Sequence, residues 1–198
     1  EAGYSAMSKI RSGGVKIGIG NDHGGVEMKR RLAELLGELG HEVVDYGSNV
    51  KDIVRYPHYA AQVAVGVSNG ELDRGVLICS TGIGMSIIAN KYSGIRAALV
   101  TTSYLARRTR LHNDSNVLCM GGKTTGIDEA EEILKVWLDV PYEGGRHDIS
   151  LGLINEAEEE LSQGRPWKRS TELLQSKPRP PIPVQVDSAI RAWISPPR

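Results

Sequence analysis

The chain has 198 residues, 40% of them hydrophobic, and its 24 Lys and Arg are balanced by 24 Asp and Glu. That length fits one globular domain with loose ends, and zero formal net charge argues against a protein built to coat nucleic acid while leaving room for a local basic pocket. No apolar run approaches the roughly 20 residues of a transmembrane helix, and the N-terminus lacks the apolar core of a secretory signal.

In chain order, Glu1 to Gly14 shows little apolar periodicity and is expected to be a flexible segment, with Met7 as a candidate native start. Val15 to Gly20 predicts a first strand. Asp22-His23-Gly24-Gly25 turns into a helix whose Leu32, Leu35, Leu36 and Leu39 share a stripe, closed by Gly40. Glu42 to Tyr46 predicts the second strand, and Pro57 opens a helix through Val63 and Val67. Gly75 to Ile78 is the third strand, Ile95 to Val100 the fourth, and Asn116 to Met120 the fifth, after a helix through Leu105. A helix follows over Ile127 to Leu138, for which Thr125 and Asp128 suit an N-terminal cap, and a last one spans Ile149 to Leu161. One domain is therefore expected over 15–162. Beyond it, 163–198 forms a Pro-rich, extended tail in which Trp167 and Trp193 are candidate anchors.

Strands alternating with helices predict an α/β fold, a three-layer doubly wound sheet of five parallel strands in flavodoxin-like order. Ligands of such sheets sit beyond the carboxyl ends of the strands. Asp22 and His23 follow strand one, Cys79 to Gly84 follow strand three, and Lys123 follows strand five, so three turns are expected to line one cleft. His112 precedes strand five and belongs at the opposite edge, so it would reach such a cleft most easily from a neighbouring subunit.

Cys79 stands where an apolar strand meets a glycine-rich turn into a helix. A thiol becomes a useful base or nucleophile where a helix N-terminus favours the thiolate, and the same turn frees N–H groups near Gly82 and Gly84 for an anion or a developing oxyanion. A small buried hydrophobe is the plain alternative for Cys79. A nucleotide-phosphate loop is the alternative for the turn, weakened because Ile87 fills the third glycine position of a dinucleotide fingerprint. Cys79 and Cys119 are the only cysteines and suggest neither a disulfide framework nor a metal clip, so a reducing cytoplasm is expected.

Five segments, in this order and spacing, resemble the ribose-5-phosphate isomerase B and galactose-6-phosphate isomerase family. They are Asp22-His23-Gly24-Gly25, Tyr56-Pro57-His58-Tyr59-Ala60, Cys79-Ser80-Thr81-Gly82-Ile83-Gly84-Met85-Ser86 with Asn90-Lys91, His112-Asn113-Asp114, and Glu143-Gly144-Gly145-Arg146-His147. The resemblance runs from Val15 to Ile154. It implies an aldose-ketose isomerase without metal or cofactor, homodimeric or tetrameric, with active sites shared between subunits and ribose 5-phosphate as the first substrate. Carried over, Cys79 is the base and His112 the acid/base of ring opening. Thr81 and the backbone of Ser80, Gly82, Ile83 and Gly84 cradle the enediolate. Asp22 contacts the sugar and helps ring opening, or simply caps a helix. Asn113 holds a hydroxyl, Tyr56 lines the pocket or the core, and His23, Lys123 and Arg146 hold phosphate.

The chain departs from the family at the phosphate end. Lys123 replaces the usual arginine, and Ser150 replaces a second arginine four residues after Arg146. A mobile point charge and a hydroxyl thus stand where planar forks are usual. A tetrulose 4-phosphate or a hexose 6-phosphate is therefore an alternative substrate, and a non-catalytic phosphosugar sensor an alternative class. A metal-dependent hydrolase is disfavoured because His23, His112 and His147 lack zinc-site spacing.

Overall fold

The protein is described here by a computed structural model covering residues 14–167. The expected N-terminal segment, apart from Gly14, and the tail from residue 168 onward, Trp193 included, lie outside the described residues. Five strands, β1 (Lys16–Asn21), β2 (Glu42–Asp45), β3 (Arg74–Cys79), β4 (Ala97–Leu99) and β5 (Val117–Gly121), form one sheet. Every pair in it is parallel, and the order is β2-β1-β3-β5-β4. Parallel pairing requires a crossover between successive strands. Those crossovers contain α1 (Val26–Glu38), α2 (Tyr56–Ser68), α3 (Ile83–Ala89) and α4 (Ser103–Asn113), followed by α5 (Ile127–Asp139) and α6 (Arg146–Ser162).

Alternation along the strands sorts the core into two layers. Ile17, Ile19, Val76, Ile78, Leu118 and Met120 face the helices that carry Leu32, Leu36, Ala106, Ile133 and Trp137. Leu77, Cys79, Val117 and Cys119 face the other way, onto Ala60, Val63, Ala64, Met85 and Ala89. The second layer packs close because the strands carry glycine there. A Cβ added to Gly75 would come within 2.6 Å of Val63 Cγ1, and one on Gly18 within 2.5 Å of Leu72 Cδ1. These are the three layers expected, with β5 placed between β3 and β4.

Several helix ends differ from expectation. α4 continues to Asn113, so His112 stands in a last helical turn and not in a loop. α6 starts at Arg146, three residues before its expected start at Ile149, so Arg146 opens a helix. Thr125 does not cap α5. Gly126 is the cap residue, without a side-chain bond, and Thr125 Oγ1 is buried with no partner among the described residues. Asp128 and Glu129 in the first turn still complement the helix dipole. Among the described residues no helix is long and apolar enough to cross a membrane. The chain divides after Glu159 into two compact units. In the described part of the second, Arg165 Nε pairs with Glu160 Oε2 at 2.7 Å.

The end of α4 is clamped. Asp114 adopts the left-handed conformation (φ 45°, ψ 47°), and its N–H closes the helix on Arg110 O. Its carboxylate bridges two guanidinium groups, accepting from Arg110 Nη1 at 2.8 Å and from Arg96 Nη2 at 2.9 Å. Arg110 also donates to Ser115 O and Val140 O, and burial pushes its basicity down while Asp114 opposes the shift. Asn tolerates the left-handed conformation, so Asp114→Asn isolates the charge. The expected loss is roughly 1.5–3 kcal/mol, the size of a charge-assisted hydrogen bond, measured by urea denaturation. Unchanged stability would show that Arg110 is held by its carbonyl acceptors alone.

Candidate active site

The carboxyl ends of β1, β3 and β5 lie side by side, and their turns are laced together by main-chain bonds. Asp22 N–H donates to Ile78 O at 3.1 Å, Gly122 N–H to Cys79 O at 2.8 Å, and Lys123 N–H to Ser80 O at 3.0 Å. The turns meet at glycines. A Cβ on Gly24 would stand 2.4 Å from Ser80 Oγ, and one on Gly122 2.4 Å from Gly24 O.

Cys79 ends β3 nearly buried, and its Sγ accepts the Gly82 N–H at 3.1 Å. Gly82 itself takes φ +78°, the left-handed conformation from which α3 starts. Thr81 Oγ1 accepts from Ile83 N–H at 3.4 Å. Gly84 and Met85 occupy the first turn of α3, where N–H groups have no intrahelical acceptor. The Tyr56 ring overhangs this turn so closely that a Cβ on Gly84 would come 2.7 Å from its Cζ. Cys119 is sealed in the sheet beneath, where burial, with the nearby Cys79 adding, pushes its thiol well above the usual range. Of the two thiols, only Cys79 borders the turn.

Asp22 does not cap α1, whose cap residue is Gly25. Its Oδ1 accepts Gly24 N–H at 2.8 Å in a local turn, and Oδ2 lies 4.0 Å from His23 Nδ1. His23 Nδ1 also accepts Val54 N–H at 3.4 Å, so Nε2 carries the imidazole proton in that arrangement. Lys123 is exposed at the rim. The turns that carry Asp22 and His23, Ser80 to Gly84, and Lys123 therefore adjoin one another at Cys79, as the three-turn reading expects, and Tyr56 overhangs the middle one.

His112, Asn113 and Arg146 do not join them. α4 runs back antiparallel to the strands, so its last turn lies at the amino edge of the sheet. There Glu143 N–H donates to Leu111 O at 3.1 Å. His112 stacks on His147, with ring centroids 4.3 Å apart and planes 16° apart. Glu143 Oε2 lies 4.0 Å from His112 Nε2 and 3.5 Å from His147 Nε2. Desolvation, then His147 and Arg108, lower the His112 basicity against the opposing pull of Glu143, and Arg146 contributes to the same field. Asn113 lines a pocket of about 290 Å³ beside edge strand β4, with Asn90, Arg96, Ala97 and Ile154. Within one chain Lys123 and Arg146 thus stand at opposite ends of the sheet. Sequence reading gave Glu143 no role and weighed His147 only as a metal ligand, disfavoured for lack of zinc-site spacing, whereas the fold brings it beside His112 and Glu143. The spacing of Glu143 and His147 around Gly144-Gly145 was the available signal, but their meeting with His112 was not visible in it.

A family described as Ribose/Galactose Isomerase matches residues 17–154. The chain belongs to this family. Ribose-5-phosphate isomerase B of Escherichia coli K12 is 45% identical over 144 residues, covering 73% of this chain and 97% of that protein. A D-erythrulose-4-phosphate isomerase of Pectobacterium atrosepticum is 38% identical over 132 residues, covering 66% and 87%. Among solved structures, ribose-5-phosphate isomerase B of Clostridium thermocellum superposes with a TM-score of 0.72 at 48% identity, covering 74% of this chain and 99% of that one. The chain is accordingly an enzyme of the sugar-phosphate isomerase class.

The Gly82 turn gives a direct test of how the thiol is held. Alanine there must adopt a left-handed φ, and its Cβ would meet Leu99 Cδ1 at 2.6 Å and Met120 O at 2.9 Å. Gly82→Ala is expected to lose roughly 1–2 kcal/mol from the backbone alone, with more from the clash, and to slow Cys79 alkylation. Thermal melting and the rate of thiol labelling measure both. Wild-type values for the two would show that the turn relaxes freely.

Proposed function

We propose that the protein interconverts ribose 5-phosphate and ribulose 5-phosphate through an enediolate, with Cys79 as the base. The observation that carries this reading is the Cys79 Sγ, 3.1 Å from the Gly82 N–H and set in the mouth formed by three strand ends. The thiolate is the form of a cysteine that accepts a proton, and Sγ stands where the substrate would enter. Cys79 takes the C2 proton of the open-chain aldose and returns it to C1. The oxygen that gains charge faces the Thr81 hydroxyl and the N–H groups between Ser80 and Gly84, donors that count most when the charge develops.

His112 serves in ring opening, moving a proton between the anomeric hydroxyl and the ring oxygen, a task suited to an imidazole. Asp22 and Asn113 hold sugar hydroxyls, Tyr56 walls the pocket, and His23, Lys123 and Arg146 hold phosphate. Because His112, Asn113 and Arg146 stand at the far edge of their own sheet, a second copy of the chain completes each site. Exposed Ile83 and Ile87, one turn apart on α3, support such a partner, since a lone chain leaves both in water. The working setting is the cytoplasm, consistent with two unbridged cysteines.

A second substrate reading, a tetrulose 4-phosphate, is supported by Ser150 and by the Pectobacterium atrosepticum relative named for erythrulose 4-phosphate. Ser150 lies one turn after Arg146 on α6 and supplies a hydroxyl where a second cation would add charge. A panel of four-, five- and six-carbon sugar phosphates incubated in heavy water and read by NMR decides. Conversion with deuterium at the proton-transfer carbon identifies the substrate.

Cys79→Ala is expected to lower turnover by about 10²–10⁴-fold, the usual worth of a positioned acid/base group, while a phosphate-bearing inhibitor still binds. Near-normal turnover rejects the base assignment. Mixing inactive Cys79→Ala and His112→Ala chains under subunit exchange is expected to restore part of the activity, because one of the two sites in the mixed dimer is intact. Heterodimers confirmed by mass spectrometry that remain inactive reject the shared site.

A further inference from the structure

The cluster at the end of α4 holds a donor set that ring opening alone does not use. His147 is 15% exposed, and its Nε2 is buried without a hydrogen-bond partner among the described residues. A buried nitrogen without a hydrogen bond carries a desolvation cost that a ligand bound at Nε2 relieves. Gly144 and Gly145 take φ +70° and +62°, and this double left-handed turn folds Glu143 back beside His147. One ring nitrogen each of His112 and His147 and a Glu143 carboxylate oxygen all lie within 4.8 Å of one another, and Nε2 is the nitrogen nearest Glu143 on both rings.

Two imidazole nitrogens and one carboxylate oxygen make a zinc donor set with a fourth position open. Bond lengths near 2.1 Å place tetrahedral ligands roughly 3.4 Å apart. The His147–Glu143 separation of 3.5 Å already fits, and the His112–Glu143 separation of 4.0 Å closes with small rotations of two partly exposed side chains. The stacked rings must splay for both lone pairs to converge, so binding unstacks them. Mg²⁺ and Ca²⁺ require several oxygen ligands, and only one carboxylate is offered, beside Arg108 and Arg146. Nitrogen-rich donors select a borderline transition metal instead.

We propose that His112, Glu143 and His147 form an inhibitory site for a divalent transition metal, Zn²⁺ foremost, with water or a sugar hydroxyl in the fourth position. The metal takes the Nε2 lone pair that ring opening needs, so occupancy silences the His112 end of the shared site. The inhibition rests on the ring-opening role proposed above for His112, whereas the binding does not.

The test titrates Zn²⁺ into chelator-treated full-length protein by calorimetry and follows Co²⁺ by its visible absorption. One saturable ion per chain is expected. Both Glu143→Gln and His147→Ala should weaken it beyond the roughly 10–100-fold that loss of an outer-shell partner costs a metal site. Zn²⁺ should inhibit turnover of ribose 5-phosphate reversibly with EDTA, the inhibition constants shifting in step with binding. Glu143 is exposed, so its variant keeps the test sound if His147→Ala fails to fold. Absence of saturable binding, or binding that survives in Glu143→Gln, overturns the site. So does a Co²⁺ spectrum with thiolate charge-transfer bands that Cys79→Ala abolishes. Binding lost in both variants without any inhibition upholds the metal site and removes His112 from ring opening.

Discussion

The bond from Gly122 N–H to Cys79 O, one step past the last register pair of β3 and β5, holds the candidate site together. It carries the ladder off the end of the sheet and fixes the Cys79 carbonyl, so the peptide that follows must leave in one direction. The Lys123 amide then takes Ser80 O, and the chain reverses through Gly82, whose amide meets the sulfur. A net amide bond is worth only about 1 kcal/mol, but a buried carbonyl left unmet costs about 1–3 kcal/mol. Loss of this contact would release the turn, the thiol and the rim lysine together.

That bond depends on β5 lying between β3 and β4. With a strictly sequential outer order β4 would adjoin β3, and Lys123 would stand a strand further away. The same placement buries Cys119 on the face shared with Leu77 and Val117, two positions below the register partner of Cys79. The two thiols of the chain thus differ in setting. Cys119 is sealed and pushed toward the protonated form, while Cys79 sits at the strand end with an amide donor.

Helix polarity imposes the second division. Turns after the strands collect at the carboxyl edge, whereas helices return to the amino edge, so residues at helix ends such as His112 cannot reach Cys79 in the same chain. The His112-Asn113-Asp114 segment also mixes duties. Asp114 is spent on Arg96 and Arg110 and locks the helix end, which fixes where the two preceding side chains stand. Arg110 precedes Asp114 by four residues, a spacing that allows the pair, but no pattern announces that Arg96 joins them.

Five strands, their parallel pairing and the gathering of Asp22, His23, Cys79 to Gly84 and Lys123 were legible in the sequence, because strand period and turn glycines are local signals and a parallel sheet aligns its carboxyl ends. The motif segments were equally legible as a family resemblance, which the 17–154 match bears out. Helix limits were less so. Thr125 matched a capping pattern, yet its hydroxyl is buried and Gly126 stands at the cap, since packing around the start of α5 outweighs one local hydrogen bond. Strand order beyond β3, the Arg–Asp–Arg clamp and the stacking of His112 on His147 beside Glu143 were settled only by tertiary structure. Arg110–Asp114 and Glu143–His147 are each four residues apart, but bringing Arg96, His112 and the edge strands to their places takes contacts between segments distant in sequence, which leave no periodic mark on the chain.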